Sequence, residues 1–126
     1  MMIEHSVPPI RNPGFTAEAE QSGRLMTVRL TGNADMSVIC GLGEFLMAFQ
    51  AAAHKEKVTE VRVEMRDLYF MNSSCLRHFV TWLSATSERP SDQQYRVVFL
   101  SNPNLRWQAR TLDALKHFAE GLVVIA

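Results

Sequence analysis

The sequence contains few of the residues that build disulfide-rich or metal-binding domains. Its two cysteines, Cys40 and Cys75, form no C-x-x-C pair, and its four histidines never take the H-E-x-x-H spacing that places two ligands on one face of a helix. Motifs that cradle phosphates, such as G-x-x-x-x-G-K-S and G-x-G-x-x-G, are missing as well. We therefore expect no metal site, no cofactor and no disulfide framework.

An excess of charge of either sign is also absent. The chain has 13 lysine and arginine residues and 13 aspartate and glutamate residues, so its formal net charge is zero. Nucleic-acid binding normally needs a basic stripe that displaces counterions from the phosphate backbone. We therefore expect no direct nucleic-acid partner.

Long apolar runs are missing too. Residues 1–14 contain three prolines and Gly14 in place of a basic start and an apolar core, which fits neither a secretory signal nor a membrane anchor. No stretch reaches the roughly twenty apolar residues that span a bilayer. We expect a cytoplasmic protein without a transmembrane segment, with an irregular leader over 1–14 and a single domain over 15–126.

What the sequence does contain is a regular succession of strand and helix patterns. Alternation at period two predicts strands, and apolar residues at spacings of three and four predict helices. The predicted elements are strands at 15–20, 25–30, 59–65, 95–100 and 122–125 and helices at 36–53, 74–85 and 101–121. The order β-β-α-β-α-β-α-β predicts an α/β sandwich, in which a hairpin turning at Ser22-Gly23 opens a mixed sheet and the helices pack mainly on one face.

Apolar spacing also predicts which side of the first helix faces the core. The predicted core stripe contains Met36, Ile39, Leu42, Phe45, Leu46, Phe49 and Ala53. Asp35 or Ser37 is available to cap this helix. The G-L-G-E-F run at 41–45 lies inside the helical pattern, so its glycines indicate close packing and not a nucleotide site.

The stretch F-M-N-S-S-C-L-R-H-F, residues 70–79, joins an extended run to a helix. Asn72 or one of the serines can cap that helix by accepting a backbone N–H bond, and this alone explains the polar cluster. A serine beyond the capping residue also lies at the positive end of the helix dipole, which favours a phosphate. The first helical turn can lower the pKa of Cys75, although a small packed residue is the simpler interpretation. The residues alone leave these alternatives open.

The segment V-R-V-E-M-R-D-L-Y-F-M-N-S-S-C-L-R-H-F-V-T-W-L, residues 61–83, resembles the signature region of STAS domains, the fold of bacterial anti-sigma factor antagonists. In that family an apolar strand and an Asp precede Asp-Ser-Ser/Thr-Gly-Leu at a helix start. The stretch V-R-L-T-G-N-A-D is similar to the family's second strand followed by Gly-x-x-Asp, which falls on Gly32 and Asp35. The order of elements agrees from about residue 15 to 126, so the resemblance implies a STAS-like sandwich.

The resemblance also implies a non-enzymatic signalling protein. The family's phosphorylated serine or threonine falls on Ser74, with Ser73 as the second choice, and Asp67 falls on the acid that follows the central strand. In the family, the unphosphorylated antagonist binds an anti-sigma factor that is also a serine kinase, phosphorylation releases it, and a serine phosphatase resets it. The implied partner-binding residues are Asp35, Asn72, Ser73, Ser74, Cys75, Arg77 and His78.

Two residues depart from the family pattern, because Asn72 replaces its Asp and Cys75 replaces its Gly. Asn caps a helix about as well as Asp, so the capping role remains while a negative charge is lost. Cys75 adds a side chain where a partner would approach, which can narrow partner choice or abolish phosphorylation. The alternatives are a non-switching STAS subunit of a transporter or sensory complex and, less favoured, a thiol enzyme using Cys75. The sequence leaves a homodimer open.

Overall fold

The computed structural model describes residues 7–126. Within this range, six strands form one sheet in sequence order: β1 Ile10–Asn12, β2 Phe15–Ser22, β3 Leu25–Ala34, β4 Glu60–Met71, β5 Arg96–Leu100 and β6 Val123–Ile125. The α-helices of the same range are α1 Ile39–Lys55, α2 Ser73–Ser87 and α3 Arg106–Lys116. Short 3₁₀ turns at Met36–Val38 and Ser91–Gln93 complete the regular structure described.

The sheet is mixed, as the sequence predicts. Strand β2 pairs antiparallel with both β1 and β3, whereas the pairs β3/β4, β4/β5 and β5/β6 are parallel. Gly23 turns the β2/β3 hairpin with a φ of +60°, a conformation that glycine adopts without strain. The helices α1, α2 and α3 supply the crossovers that parallel neighbours require. The predicted hairpin and mixed sheet are therefore confirmed.

The core lies on one face of this sheet. Alternate side chains of β3 and β4 are buried, whereas Arg29 and Arg62 point to the open face and are exposed. The buried strand residues are Met26, Val28, Leu30, Val61, Val63 and Met65. They join one cluster with residues of all three helices, in which Phe49 of α1 meets Trp82 of α2 edge-on at 5.6 Å. The helices therefore cover a single face, as predicted.

Strand β4 continues well past the end of β5 and remains paired with β3 as far as Met71. Two register shifts against β3 interrupt its alternation. Where β5 no longer covers its edge, the buried amide nitrogen of Gln108 donates hydrogen bonds to the carbonyl oxygens of Met65, at 2.7 Å, and Leu68, at 2.9 Å. This extension carries the chain directly to the start of α2.

Several predicted boundaries were wrong, and one of them is the start of the third helix, which lies at Arg106 and not near 101. Ile10–Asn12, within the predicted irregular leader, forms a strand whose Ile10 pairs with Ala17 of β2. A three-residue strand between prolines is too short to show alternation in sequence. The third helix ends at Lys116 and not near Gly121, because His117 and Phe118 bond to carbonyls three residues back, which tightens the chain into turns.

The first helix departs from prediction at one end. Met36, predicted to face the core, is 78% exposed, because it begins the 3₁₀ turn Met36–Val38, whose angular spacing differs from that of α1. By length and composition, Met36–Lys55 is also able to cross a membrane, contrary to the prediction that no segment can. In the fold its inner side belongs to the core, with Leu42, Phe45, Leu46, Phe49, Ala52 and Ala53 buried.

Candidate functional site

Two chain segments meet at the carboxyl ends of the parallel strands β3 and β4, where open sheets of this kind usually bind their partners. The first is the turn at Asp35, which follows β3, and the second is the start of α2, which follows β4. The backbone N–H of Asn72 donates to the carbonyl oxygen of Ala34 at 2.9 Å. The thiol of Cys75 lies 3.6 Å from the carbonyl oxygen of Asp35. These contacts hold the two segments side by side.

Gly32 shapes the approach to the Asp35 turn. Its φ of +90° is a left-handed conformation, and a Cβ at this position would overlap the carbonyl oxygen of Gly14. That same oxygen accepts a 2.8 Å hydrogen bond from the backbone N–H of Asn33. Only a glycine lets the end of β3 approach the β1/β2 turn this closely. The backbone conformation therefore explains why a glycine stands at the first position of the Gly-x-x-Asp motif.

Asn72 is the cap of α2. Its backbone is extended, and its side-chain oxygen accepts a 2.8 Å hydrogen bond from the N–H of Cys75. Its carbonyl oxygen accepts the first helical bond, from the N–H of Leu76, at 3.0 Å. Of the capping alternatives that the sequence leaves open, the structure shows Asn72.

Ser73 and Ser74 therefore do not cap the helix. Both side chains are exposed, and neither hydroxyl has a hydrogen-bond partner within residues 7–126. Arg77 is also exposed, one turn beyond Ser74 and on the same side of α2, since residues three apart are neighbours on a helix. In the part of the chain that the structure describes, Arg77 forms no ion pair. Two free hydroxyls and a free cation thus border the junction.

The carboxylate of Asp35 is hydrogen-bonded to Ser37, two residues later. One oxygen accepts hydrogen bonds from the backbone N–H of Ser37, at 2.9 Å, and from its hydroxyl, at 2.6 Å. These two bonds lower the pKa of Asp35 below its ordinary value, chiefly through the Ser37 hydroxyl. Asp35 therefore remains charged and exposed while it caps the 3₁₀ turn.

Cys75 does not belong to the exposed surface, which corrects the sequence-based expectation. Its side chain is wholly buried, because the third residue of α2 points to the same inner side as Phe79, one turn later. Burial raises the pKa of its thiol, and the negative charge of Asp35 raises that pKa further. The pKa-lowering effect of a helix start is thus outweighed, and a protonated, inaccessible thiol is a poor nucleophile.

His78 links two helices. Its Nε2 lies 2.9 Å from the carbonyl oxygen of Ile39 at the start of α1, and a carbonyl only accepts, so Nε2 carries the proton of this bond. A Cβ on Gly43 would lie 2.8 Å from His78 Cε1. The predicted close packing is therefore confirmed at Gly43, and the half-buried His78 ring lies against the start of α1.

Asp67 lies elsewhere. The STAS resemblance implies that Asp67 follows the central strand, but β4 runs through it, and it lies on the open face of the sheet in a shallow depression. The same depression is lined by Arg29 and Arg66. Asp67 is therefore a residue of the open sheet face and not of a segment after the strand, which corrects that expectation.

Exposed apolar residues surround the junction, and no sequence pattern points to them. Met36 follows Asp35 and is 78% exposed, while Tyr69 and Phe70, near the end of β4, are 55% and 48% exposed. Phe70 pairs across the sheet with Asn33, only two residues before Asp35. The register shifts in β4 hide this exposure, since simple alternation cannot place both aromatic residues outward.

Comparisons with known proteins bear on the fold. No family model and no curated protein sequence matches the chain. The crystal structure of an anti-sigma factor antagonist from Mycobacterium paratuberculosis matches with a TM-score of 0.63 at 13% identity, covering 88% of each chain. The chain has the STAS fold. The anti-sigma factor antagonist SpoIIAA, solved in its unphosphorylated form, also matches, with a TM-score of 0.48, 21% identity and coverage of 75% of this chain and 81% of that one.

Proposed function

We propose that this STAS protein is a non-enzymatic anti-sigma factor antagonist that is switched by phosphorylation of Ser74. In this proposal it binds an anti-sigma factor that is also a serine kinase, in the cytoplasm, and a serine phosphatase restores the binding form. The observation that carries the proposal is the division of roles at the start of α2. Asn72 supplies the cap, whereas Ser74 is exposed with a hydroxyl that is free of hydrogen bonds to residues 7–126.

The proposed binding surface, here called the switch face, combines apolar and polar groups. It consists of Asp35, Met36, Phe70, Ser73, Ser74 and Arg77, all of them exposed. Covering a side chain such as Met36 or Phe70 contributes roughly 1.5–3 kcal/mol when burial is complete. The charged groups at either end then fix the orientation of the partner. Cys75 is no obstacle to a partner, since it is buried beneath this face.

Phosphate on Ser74 would switch this surface by electrostatics and bulk. It adds roughly −1.5 to −2 charges and a strongly hydrated group. The amino end of α2 stabilises that charge within the protein, because the helix dipole and the first-turn N–H groups favour an anion. A partner apposed to Ser74 must instead desolvate the phosphate, which is costly unless a cation meets it. Binding is then lost while the fold is retained.

The proposal is tested by phosphorylation in vitro. A candidate serine kinase with a histidine-kinase-like ATP site is incubated with ATP and with wild-type, Ser73→Ala and Ser74→Ala proteins, and the phosphate is located by mass spectrometry. We expect phosphate on Ser74 in the wild type and in Ser73→Ala, and none in Ser74→Ala.

Two results contradict it. Phosphate on Ser73 would move the switch by one residue. A kinase that binds the chain but phosphorylates neither serine would instead favour the alternative, a non-switching STAS subunit of a larger complex. Ser73→Ala is the matched control, because both serines are equally free of internal partners in the described structure.

A further inference from the structure

The outward side of α1 carries few charged residues. Cys40, Met47 and Ala51 are exposed at helical spacing, and Met47 is 72% exposed. Glu44 is the single charged residue between positions 39 and 53. A surface helix normally turns charged residues to water, so an apolar stripe on both sides of α1 calls for a second covering surface.

We propose that a second copy of this chain covers this side of α1 from Glu44 to Lys55, with the two α1 helices packed antiparallel about a twofold axis. The charges that border the stripe fit this arrangement. Glu44 and Lys55 are both exposed, and neither side chain has an ion-pair or hydrogen-bond partner among the described residues. Helical spacing puts them about 16 Å apart along one side of α1. An axis midway between them places each Glu44 beside the Lys55 of the other copy.

The same axis matches large side chains to small ones. It passes between Met47 and Ala51, so the methionine of each copy lies over the alanine of the other, and the contact occurs twice by symmetry. Methionine adapts well to such shallow apolar surfaces. Charge and size therefore agree on one register, in which α1 overlaps its copy from Glu44 to Lys55.

This dimer leaves the switch face free. Met36 precedes Glu44 by eight residues and lies outside the overlap, in the 3₁₀ turn that Asp35 caps. An overlap of about 16 Å buries an area near or below the low end of specific interfaces, so we expect a weak, concentration-dependent dimer. Dimerisation and partner binding are thus separate properties that can be tested separately.

Sedimentation equilibrium of the full chain tests the dimer. We expect the mass to rise with concentration from 14.3 kDa toward twice that value. Met47→Glu, which puts a charge into the apolar contact, is expected to raise the dissociation constant at least about tenfold. Phe118→Glu, at a 43% exposed residue beyond α3, is the matched control and is expected to leave it unchanged. A wild-type chain that stays monomeric at millimolar concentration overturns the proposal.

Charge exchange tests the register. Glu44→Lys and Lys55→Glu are each expected to weaken the dimer, because each places like charges opposite one another, and the double variant is expected to restore it. A double variant as weak as its parents overturns the antiparallel pairing. Folding of each variant is checked by circular dichroism, so that loss of the dimer is not mistaken for loss of structure.

Disulfide formation provides an independent measurement of geometry. In this register Ala51 and its copy are about 5 Å apart along the axis, whereas Cys40 and its copy are about 28 Å apart. Cys40→Ser/Ala51→Cys is therefore expected to form a linked dimer on mild oxidation, and the native chain is not. Efficient linkage through Cys40 overturns the register. If the chain stays monomeric and its Met47 inserts into phosphatidylcholine vesicles, the stripe contacts a membrane and not a second copy of the chain, and the dimer proposal is wrong.

Discussion

The side-chain oxygen of Asn72 accepts a 2.8 Å hydrogen bond from the backbone N–H of Cys75 and so closes the first turn of α2. This one bond decides what the neighbouring residues do. Because Asn72 caps the helix, Ser73 and Ser74 do not, and the side chain of Cys75, the third residue of the helix, points into the core. The serines are left as exposed groups at the start of the helix.

Removing the cap at Asn72 is expected to destabilise the protein while Ser73 and Ser74 remain in the sequence unchanged. Asn72→Ala should lower the free energy of unfolding by about 1 kcal/mol, because the N–H of Cys75 loses its partner. Asn72→Asp should keep the stability within about 0.5 kcal/mol, since Asp caps equally well and favours the helix dipole. Urea denaturation measures both. Equal stability of Asn72→Ala and wild type would show that the cap is not formed in solution.

Two glycines of α1 offer a matched pair. Gly→Ala inside a helix normally stabilises by up to about 1 kcal/mol. At Gly41 the new Cβ meets nothing closer than 3.8 Å, so Gly41→Ala is expected to stabilise the protein. At Gly43 it would lie 2.8 Å from the His78 ring and break the bond to Ile39, so Gly43→Ala is expected to destabilise it. Thermal unfolding should shift in opposite directions, and a shift in the same direction would contradict the packing described.

The two cysteines are expected to differ in reactivity. Cys40 is exposed, whereas Cys75 is buried and its thiol has a raised pKa, so less thiolate is present at neutral pH. In the folded protein we expect the Ellman reagent to modify Cys75 at least about tenfold more slowly than Cys40. Cys40→Ser and Cys75→Ala variants isolate each thiol. A reaction at Cys75 as fast as that at Cys40 would contradict its burial and would favour the thiol-enzyme alternative.

Ser37 is expected to control the titration of Asp35. Ser37→Ala removes the hydroxyl bond that chiefly lowers the pKa of Asp35, so that pKa should rise toward its ordinary value of 3.8. A lowered pKa in the folded state stabilises the fold above the unfolded value and loses this effect as pH falls through the folded value. The stability difference between wild type and Ser37→Ala should therefore shrink below about pH 4. Carboxyl carbon NMR follows the titration directly, and an identical pKa in both proteins would contradict the hydrogen bonds.

Local rules predict the fold and much of the site. The period-two alternation of β3 and of the first half of β4 is a short-range signal, and it is confirmed. Asn72, one of the capping residues that the sequence offers for α2, is the one that the structure shows. Asp35 and Asn72 were placed beside one another through the STAS resemblance, and the contact of Asn72 with Ala34 shows this proximity. These features depend on few residues and can therefore be predicted from a single sequence.

Features that depend on register or on distant partners could not be predicted. The shifts in β4 reset its alternation, so the exposure of Tyr69 and Phe70 is invisible to a period-two pattern. Gln108 looks like an ordinary surface residue of α3, and only the open edge of β4 explains its burial. The inward direction of Cys75 depends on which residue caps α2, which the sequence left undecided.

The proposed switch at Ser74 is tested by the affinity of the partner for the phosphorylated protein. Phosphoserine is installed at position 74 during synthesis, so that no kinase is needed, and binding to the anti-sigma factor is measured by calorimetry beside Ser74→Ala and Ser73→Ala. We predict that phosphoserine at 74 weakens binding at least about a hundredfold while circular dichroism stays unchanged, and that both alanine variants bind like wild type. Unchanged affinity of the phosphorylated protein would contradict a switch at Ser74.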